Sequence, residues 1–131
     1  MAEPDELPIY QLLGDEVLTA IVAGFYRRVP GDPILGPMYP PADLAGAEHR
    51  LRTFLVYRFG GPPVYLQERG HPRLRMRHMP FRIDGAARDR WMELMMASVD
   101  EQVAAGKVTA AHRAYLETFL GDIATFLINR A

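Results

Sequence analysis

Prolines decide how this chain can be divided. Beyond Pro4 and Pro8 they cluster at Pro30, Pro33, Pro37, Pro40 and Pro41, then at Pro62 and Pro63, then at Pro72 and Pro80. Each lacks an N–H and restricts the residue before it, so regular structure must be fitted between them. Between the clusters, apolar residues recur every three or four positions, and no stretch alternates with period two over strand length. The pattern predicts a short helix over 7–13, ended near Gly14. A second follows from Asp15 to near Val29, with Leu18, Ile21, Val22, Phe25 and Tyr26 as its stripe. A third runs from an Asp43 cap through Leu44, Ala47, Leu51, Phe54 and Leu55 to the Gly60-Gly61 stop. Residues 62–72 read as irregular. A short helical turn fits "PRLRMRH", with Pro72 before it or at its first position. Asp84 is placed to cap a long helix carrying Trp91, Met92, Met95, Val99 and Val103, with Gly106 at its end. Thr109 is placed to cap a last helix that buries Tyr115, Leu116, Phe119, Leu120, Ile123, Phe126 and Leu127. The expectation is an all-α fold in one domain, residues 1–131.

Composition narrows the chemistry. Half of the residues are hydrophobic (49%), enough for one packed core in 131 residues. The formal net charge of −1 argues against bulk binding to nucleic acid or to a membrane surface. No cysteine is present, which excludes disulfides, thiol catalysis, zinc-thiolate sites and covalent haem attachment through C-x-x-C-H. The start "MAEPDELPIY" is acidic and has no apolar core of the kind a signal peptide needs. No apolar run is long enough to span a bilayer. A cytoplasmic protein is expected.

Charge is nevertheless concentrated in "GHPRLRMRHMPFRI", residues 70–83. Arg73, Arg75, Arg77 and Arg82 surround His71 and His78. His78 lies four residues after Leu74, on the same face of one short helix. Taken alone, it reads as a partly buried, hydrogen-bonded histidine or as a metal ligand through its imidazole. The other histidines do not join it: His49 faces away from its helix's apolar stripe, His112 sits in a first helical turn, and His71 precedes Pro72 in a loop. With no H-E-x-x-H and no cysteine, a zinc site of three or four ligands is not expected. Haem needs a single protein histidine, because the porphyrin fills four positions, and its propionates call for cations. Arginine suits that task through its planar fork. The arginines read equally as a solvated basic face or a phosphate-binding patch.

The aromatic residues add a third signal. Phe25-Tyr26 falls on the buried stripe of the second helix, Tyr39 ends the proline-rich segment, and Trp91 is the sole tryptophan. Such stripes usually pack the core. Tyr26, Tyr39 and Trp91, however, carry polar tips that need partners when buried. A dry pocket holding two phenols and an indole N–H would stabilise a bound diatomic that gains negative charge.

Two stretches together resemble the truncated haemoglobins, specifically group II. They are "FYRRVPGDPILGPMYPPADLAGAEHRLRTFLVYRFGGP" and "ERGHPRLRMRHMPFRI", followed by "ARDRW". The resemblance covers roughly residues 9–128. It implies a truncated globin fold, a two-over-two helical sandwich around haem b (iron protoporphyrin IX). Carried over residue by residue, His78 is similar to the proximal iron ligand, and Tyr26, Tyr39 and Trp91 to the residues that stabilise the distal ligand. Phe25, Ala47, Leu51 and Phe54 fall where the distal pocket is lined. Ala47 stands where many globins have a distal histidine or glutamine. Arg50 and Arg77, with Tyr65 and His71 behind them, are the candidates for the propionates. Two departures stand out: Phe59 replaces a tryptophan common before the Gly-Gly, and Leu13-Gly14-Asp15 replaces a Gly-Gly at the first helix junction.

The resemblance implies a five-coordinate iron that binds O2, CO and NO and releases O2 slowly. Bulk oxygen delivery then fits poorly. NO or peroxide detoxification with an unidentified reductase, or oxygen sensing, fits better, and a homo-oligomer is left open. The rival expectation is a cofactor-free helical module that binds anionic partners through the cluster from Arg69 to Arg82.

Overall fold

The computed structural model describes residues 8–130. Helix α1 is Ile9–Leu13, α2 Asp15–Arg28, α3 Leu44–Arg58, α4 Val64–Arg69, α5 Leu74–His78, α6 Gly85–Ala104 and α7 Ala110–Phe126. Two 3-10 turns, Gly36–Met38 and Pro41–Asp43, shape the proline-rich connection between α2 and α3. No strand occurs among the described residues, so the all-α expectation holds. Leu7, expected as the first residue of α1, lies outside the described residues.

Helices α2 and α3 pack as one pair and α6 and α7 as the other, with α2 lying on α6. This is the two-over-two arrangement. The α2–α6 contact forms its centre. Ile21, Val22 and Phe25 of α2 and Met95 and Val99 of α6 lie in the shared core, all nearly or wholly excluded from solvent. At Gly24 the two helices approach closely: a Cβ there would stand 2.2 Å from Ser98 Oγ and 3.1 Å from Ser98 Cβ. The Ser98 hydroxyl instead donates to the Ile21 carbonyl at 2.6 Å. A glycine inside a helix costs roughly 1 kcal/mol relative to alanine. Here that loss accompanies an approach no side chain would allow.

Local rules account for most boundaries. Asp84 accepts from the Ala87 N–H at 2.9 Å and Thr109 from the His112 N–H at 3.1 Å, so both cap as expected. Asp43 does not cap α3. Its carboxylate bonds Arg50 Nη2 at 2.6 Å, an ion pair that outcompetes the neutral backbone N–H. After α3 the chain turns through Gly60 at φ +94°, where a Cβ would also strike Pro8 at 2.7 Å.

The segment 62–72, expected as irregular, contains α4. Pro62 and Pro63 precede that helix, where a missing N–H costs nothing, so they start it and do not bar it. Tyr65 then buries its ring against Phe54 at 5.5 Å between centroids, which fixes α4 on α3. Helix α5 begins at Leu74, later than Pro72, and is preceded by Arg73 at φ +43°.

The Gly24–Ser98 contact gives a first test. Gly24→Ala should lower unfolding free energy by about 1–3 kcal/mol through overpacking, against its favourable helix propensity. Gly24→Ala with Ser98→Ala should recover part of the loss. Urea unfolding reads both, and a stabilised single variant would refute the close contact.

Candidate functional site

The helices enclose a cavity of about 480 Å³, within the range of roughly 300–1,000 Å³ that holds drug- or cofactor-sized ligands. Helix α2 brings Tyr26 to its wall, the loop after it Tyr39, α3 Ala47, Leu51 and Phe54, and α6 Trp91. Helix α5 brings His78 and Leu74. Helix α7 closes the cavity with Leu120, Ile123 and Ala124.

His78 enters with its tautomer set. The Leu74 carbonyl lies 2.7 Å from Nδ1. A carbonyl only accepts, so Nδ1 carries the proton and donates. The lone pair is then on Nε2. A backbone carbonyl on the other ring nitrogen is the common support of a metal-ligating histidine. The four-residue spacing seen in the sequence produces this bond directly, because a side chain at i reaches back toward the carbonyl at i−4 on a helix.

The polar-tipped aromatics also converge. Tyr26 and Tyr39 lie edge to face, 5.7 Å between ring centroids. Phe25 sits behind them, fully buried, 5.0 Å from Tyr26, 6.4 Å from Tyr39 and 5.5 Å from Trp91. Phe25 therefore backs the wall without being part of the cavity surface. Burial pushes the Tyr26 phenol well above its ordinary range; the neighbouring Tyr39 adds to this and Arg50 opposes it. Burial likewise pushes Tyr39 up to about 12, with the Trp91 side chain acting against it. Tyrosine is ordinarily protonated at neutral pH, and burial extends that state of both phenols to more alkaline pH.

The loop that carries Tyr39 is tied down at its start. Asp32 is buried, and its carboxylate accepts from the Leu35 N–H at 2.8 Å and the Ile34 N–H at 3.0 Å. It also accepts from Arg90, the residue before Trp91 on α6. Burial alone would raise the Asp32 pKa, but the bonds from Leu35, Arg90 and Ile34 hold it below the usual carboxylate range. One carboxylate thus links the Tyr39 loop to the helix that presents Trp91. The sequence reading missed Asp32 and Arg90. Only the Asx-type turn signal of "GDP" could have suggested the first, and nothing local suggested the second.

Four arginines reach the cavity: Arg50, Arg69, Arg77 and Arg88. Arg50 is paired with Asp43. Arg77 spends Nε on the Pro72 carbonyl at 2.8 Å and Nη2 on the Arg69 carbonyl at 2.9 Å and, more weakly, the His71 carbonyl at 3.4 Å. Its Nη1 is left over. Arg88 is held by Thr125 and Gly121 of α7. Arg69 is exposed and makes no side-chain bond among the described residues, which leaves its whole fork available. It was not among the candidates read from the sequence. Tyr65 lines the cavity, nearly buried against Phe54. The His71 side chain is exposed and off the cavity wall. His49 also faces outward, bonded to Glu68 at 2.8 Å.

This donor set fits a haem. The cavity is largely apolar, one imidazole on its wall has an unshared nitrogen, and guanidinium groups are part of its lining. No group of three or more His, Cys, Asp or Glu side chains among the described residues could hold a bare metal ion.

Two helical pairs closed on such a cavity are an arrangement compatible with a globin. The chain matches the bacterial-like globin family over residues 8–125. It is 38% identical over 99 residues to the group 2 truncated haemoglobin YjbI of Bacillus subtilis, covering 76% of this chain and 74% of that protein. Its structure is similar to the haemoglobin of Chloroflexus aurantiacus, with a TM-score of 0.87, 42% identity, and coverage of 95% of this chain and 100% of that one. It is also similar to the truncated oxygen-avid haemoglobin of Bacillus subtilis, with a TM-score of 0.83, 35% identity, and coverage of 92% and 98%. The chain belongs to the bacterial-like globins, among the group II truncated haemoglobins, a family of haem-based gas-binding proteins. Among the described residues, no helix is long and apolar enough to cross a membrane.

The tyrosines give a pH test. Their folded-state pKa values lie above the ordinary value of 10.0. Between the unfolded and folded pKa the unfolded chain binds fewer protons, so stability falls as pH rises. Their contribution should be complete below about pH 10 and fade above it. Urea unfolding at pH 8 and pH 11 checks this. Tyr26→Phe and Tyr39→Phe should each flatten the alkaline loss, and an unaltered slope in both would contradict the burial of the phenols.

Proposed function

We propose that this chain holds haem b through His78 Nε2 and binds O2, and also CO or NO, among Tyr26, Tyr39 and Trp91. The single observation that carries this reading is the His78 Nδ1–H bond to the Leu74 carbonyl at 2.7 Å, which leaves Nε2 as the ligating atom. Haem, when bound, supplies the iron on which the gas sits. The chain supplies the rest. Arg69 and the free Nη1 of Arg77 hold the propionates, with Arg50 shared between a propionate and Asp43. Ala47, Leu51 and Phe54 keep water from the ligand. Ala47 offers no hydrogen bond, so polarity at the ligand comes from Tyr26, Tyr39 and Trp91. Both phenols are protonated at neutral pH, as tyrosine ordinarily is, so they act as donors and not as repelling phenolates, and their burial extends this to more alkaline pH.

Each net hydrogen bond contributes about 1 kcal/mol, and more toward a negatively charged acceptor. About 1.4 kcal/mol slows release tenfold if the on-rate is unchanged. Two or three donors therefore make oxygen release slow. The similarity to a globin described as oxygen-avid supports this. A slow-release globin serves bulk delivery poorly. NO or peroxide detoxification, supplied with electrons by a reductase, suits it better. A cofactor-free module using only the arginine cluster leaves the cavity and the oriented imidazole without a purpose.

Absorption spectroscopy is the direct test. Protein produced with ample haem should show an intense band at the blue edge of the visible that moves with dithionite and with CO. Protein that stays colourless after added hemin would overturn the reading. For the distal donors, Trp91→Phe and Tyr39→Phe should each raise the O2 dissociation rate by roughly tenfold for a bond to charged ligand. Stopped-flow displacement measures it, and unchanged rates in both variants would remove the donors from the mechanism.

A further inference from the structure

Helix α5 has five residues, no side-chain cap and a left-handed Arg73 at φ +43° before it. A helix this short has little stability of its own. Yet it must hold the imidazole of His78 steady. The rest of the chain therefore has to impose its orientation, and two sets of contacts do so. On the N-terminal side, Arg77 folds back on the carbonyls of Arg69, His71 and Pro72. On the C-terminal side, the contacts come from the far end of the chain, beyond α7.

There Asn129 uses every polar group of its side chain on the segment that begins at His78. Its Nδ2 donates to the His78 carbonyl at 3.2 Å and to the Phe81 carbonyl at 3.0 Å. Its Oδ1 accepts from the Ile83 N–H at 2.9 Å. Its own N–H and that of Arg130 donate to the Ile83 carbonyl at 2.9 and 3.1 Å. The amide orientation is unambiguous, because two carbonyls face Nδ2 and one N–H faces Oδ1. Arg75 adds a second tie to the same end of α7, donating to the Phe126 carbonyl at 3.2 Å with its guanidinium 5.4 Å from the Phe126 ring.

We propose that Asn129 is a positioning residue for the haem ligand: it clasps residues 78–83 and so sets how His78 meets the iron. The proposal rests on the reading of His78 as the proximal ligand. Only asparagine or glutamine carries the required two donors and one acceptor, and glutamine is one methylene too long for the same geometry. Aspartate has the same shape but turns an oxygen toward two carbonyls. Asn129→Asp therefore removes two bonds and adds repulsion with almost no change in volume. The residue was invisible in the sequence, since its partners are 46–51 positions away.

The experiment uses the haem-loaded protein and the variants Asn129→Asp and Asn129→Ala. In the ferrous, ligand-free state, the iron–histidine stretching band in resonance Raman should shift or broaden in both. Haem transfer to an excess of an apoglobin acceptor should quicken by on the order of tenfold, the usual consequence of removing a metal ligand's outer support. In haem-free protein, hydrogen exchange at the Phe81 and Ile83 amides should rise while the amides of α2 and of the middle of α6 keep their protection. This last measurement keeps the idea testable where a variant loses haem. An unmoved iron–histidine band with unchanged haem transfer in both variants would overturn the proposal. Exchange rising equally throughout α2 and α6 would also overturn it, since that marks general destabilisation. Failure of the proximal-ligand reading is distinguishable: it appears in the unaltered protein, as haem bound without an iron–histidine band or with a band that survives His78→Ala.

Discussion

The close packing of α2 on α6 is the constraint on which the rest depends. Gly24 and Ser98 let the two helices meet almost backbone to side-chain stub, with the Ser98 hydroxyl bonded to the Ile21 carbonyl. Tyr26 lies about half a turn beyond Gly24, and Trp91 lies about two turns before Ser98. The separation of the helices therefore also sets the separation of the pocket's aromatic donors. Phe25 transmits this spacing directly, since its buried ring touches Tyr26, Tyr39 and Trp91 together.

The two sides of the cavity are supported by different physics. The wall with Tyr26, Tyr39 and Trp91 is held by apolar packing and a buried carboxylate. Asp32 satisfies two backbone N–H groups and Arg90 at once, and this organises a proline-rich loop that has little regular structure of its own. The wall with His78 is held mainly by hydrogen bonds to carbonyls, from Arg77 on one side and Asn129 on the other. A five-residue helix buries too little surface to be fixed by packing.

The arginine-rich stretch resolves into several tasks. Arg77 spends most of its fork on the backbone of its own segment, Arg75 stacks on Phe126, and Arg69 stands exposed at the cavity. None of these bonds pairs an arginine of the stretch with a carboxylate among the described residues. Charge density in the sequence left a solvated basic face and an anion-binding role both open, and did not tell which arginine keeps donors to spare.

By itself the sequence determined the all-helical class, most helix boundaries, the Asp84 and Thr109 caps and the pairing of Leu74 with His78. These follow from interactions within about four residues, where periodicity and capping chemistry act. It also marked Tyr26 and Trp91 as polar tips on apolar helix faces and Tyr39 as a third at the end of the proline-rich segment. Helix α4 was hidden because two prolines were read as a break, although they start the helix, and the Asp43 cap was lost to the longer-range pull of Arg50. Only the tertiary structure decided that Phe25 backs the cavity wall, that His71 is exposed, that Arg69 is available, that Asp32 meets Arg90, and that Asn129 bonds the segment beginning at His78. Those outcomes depend on contacts between residues tens of positions apart, formed when the helices pack, and no local pattern in the chain encodes them.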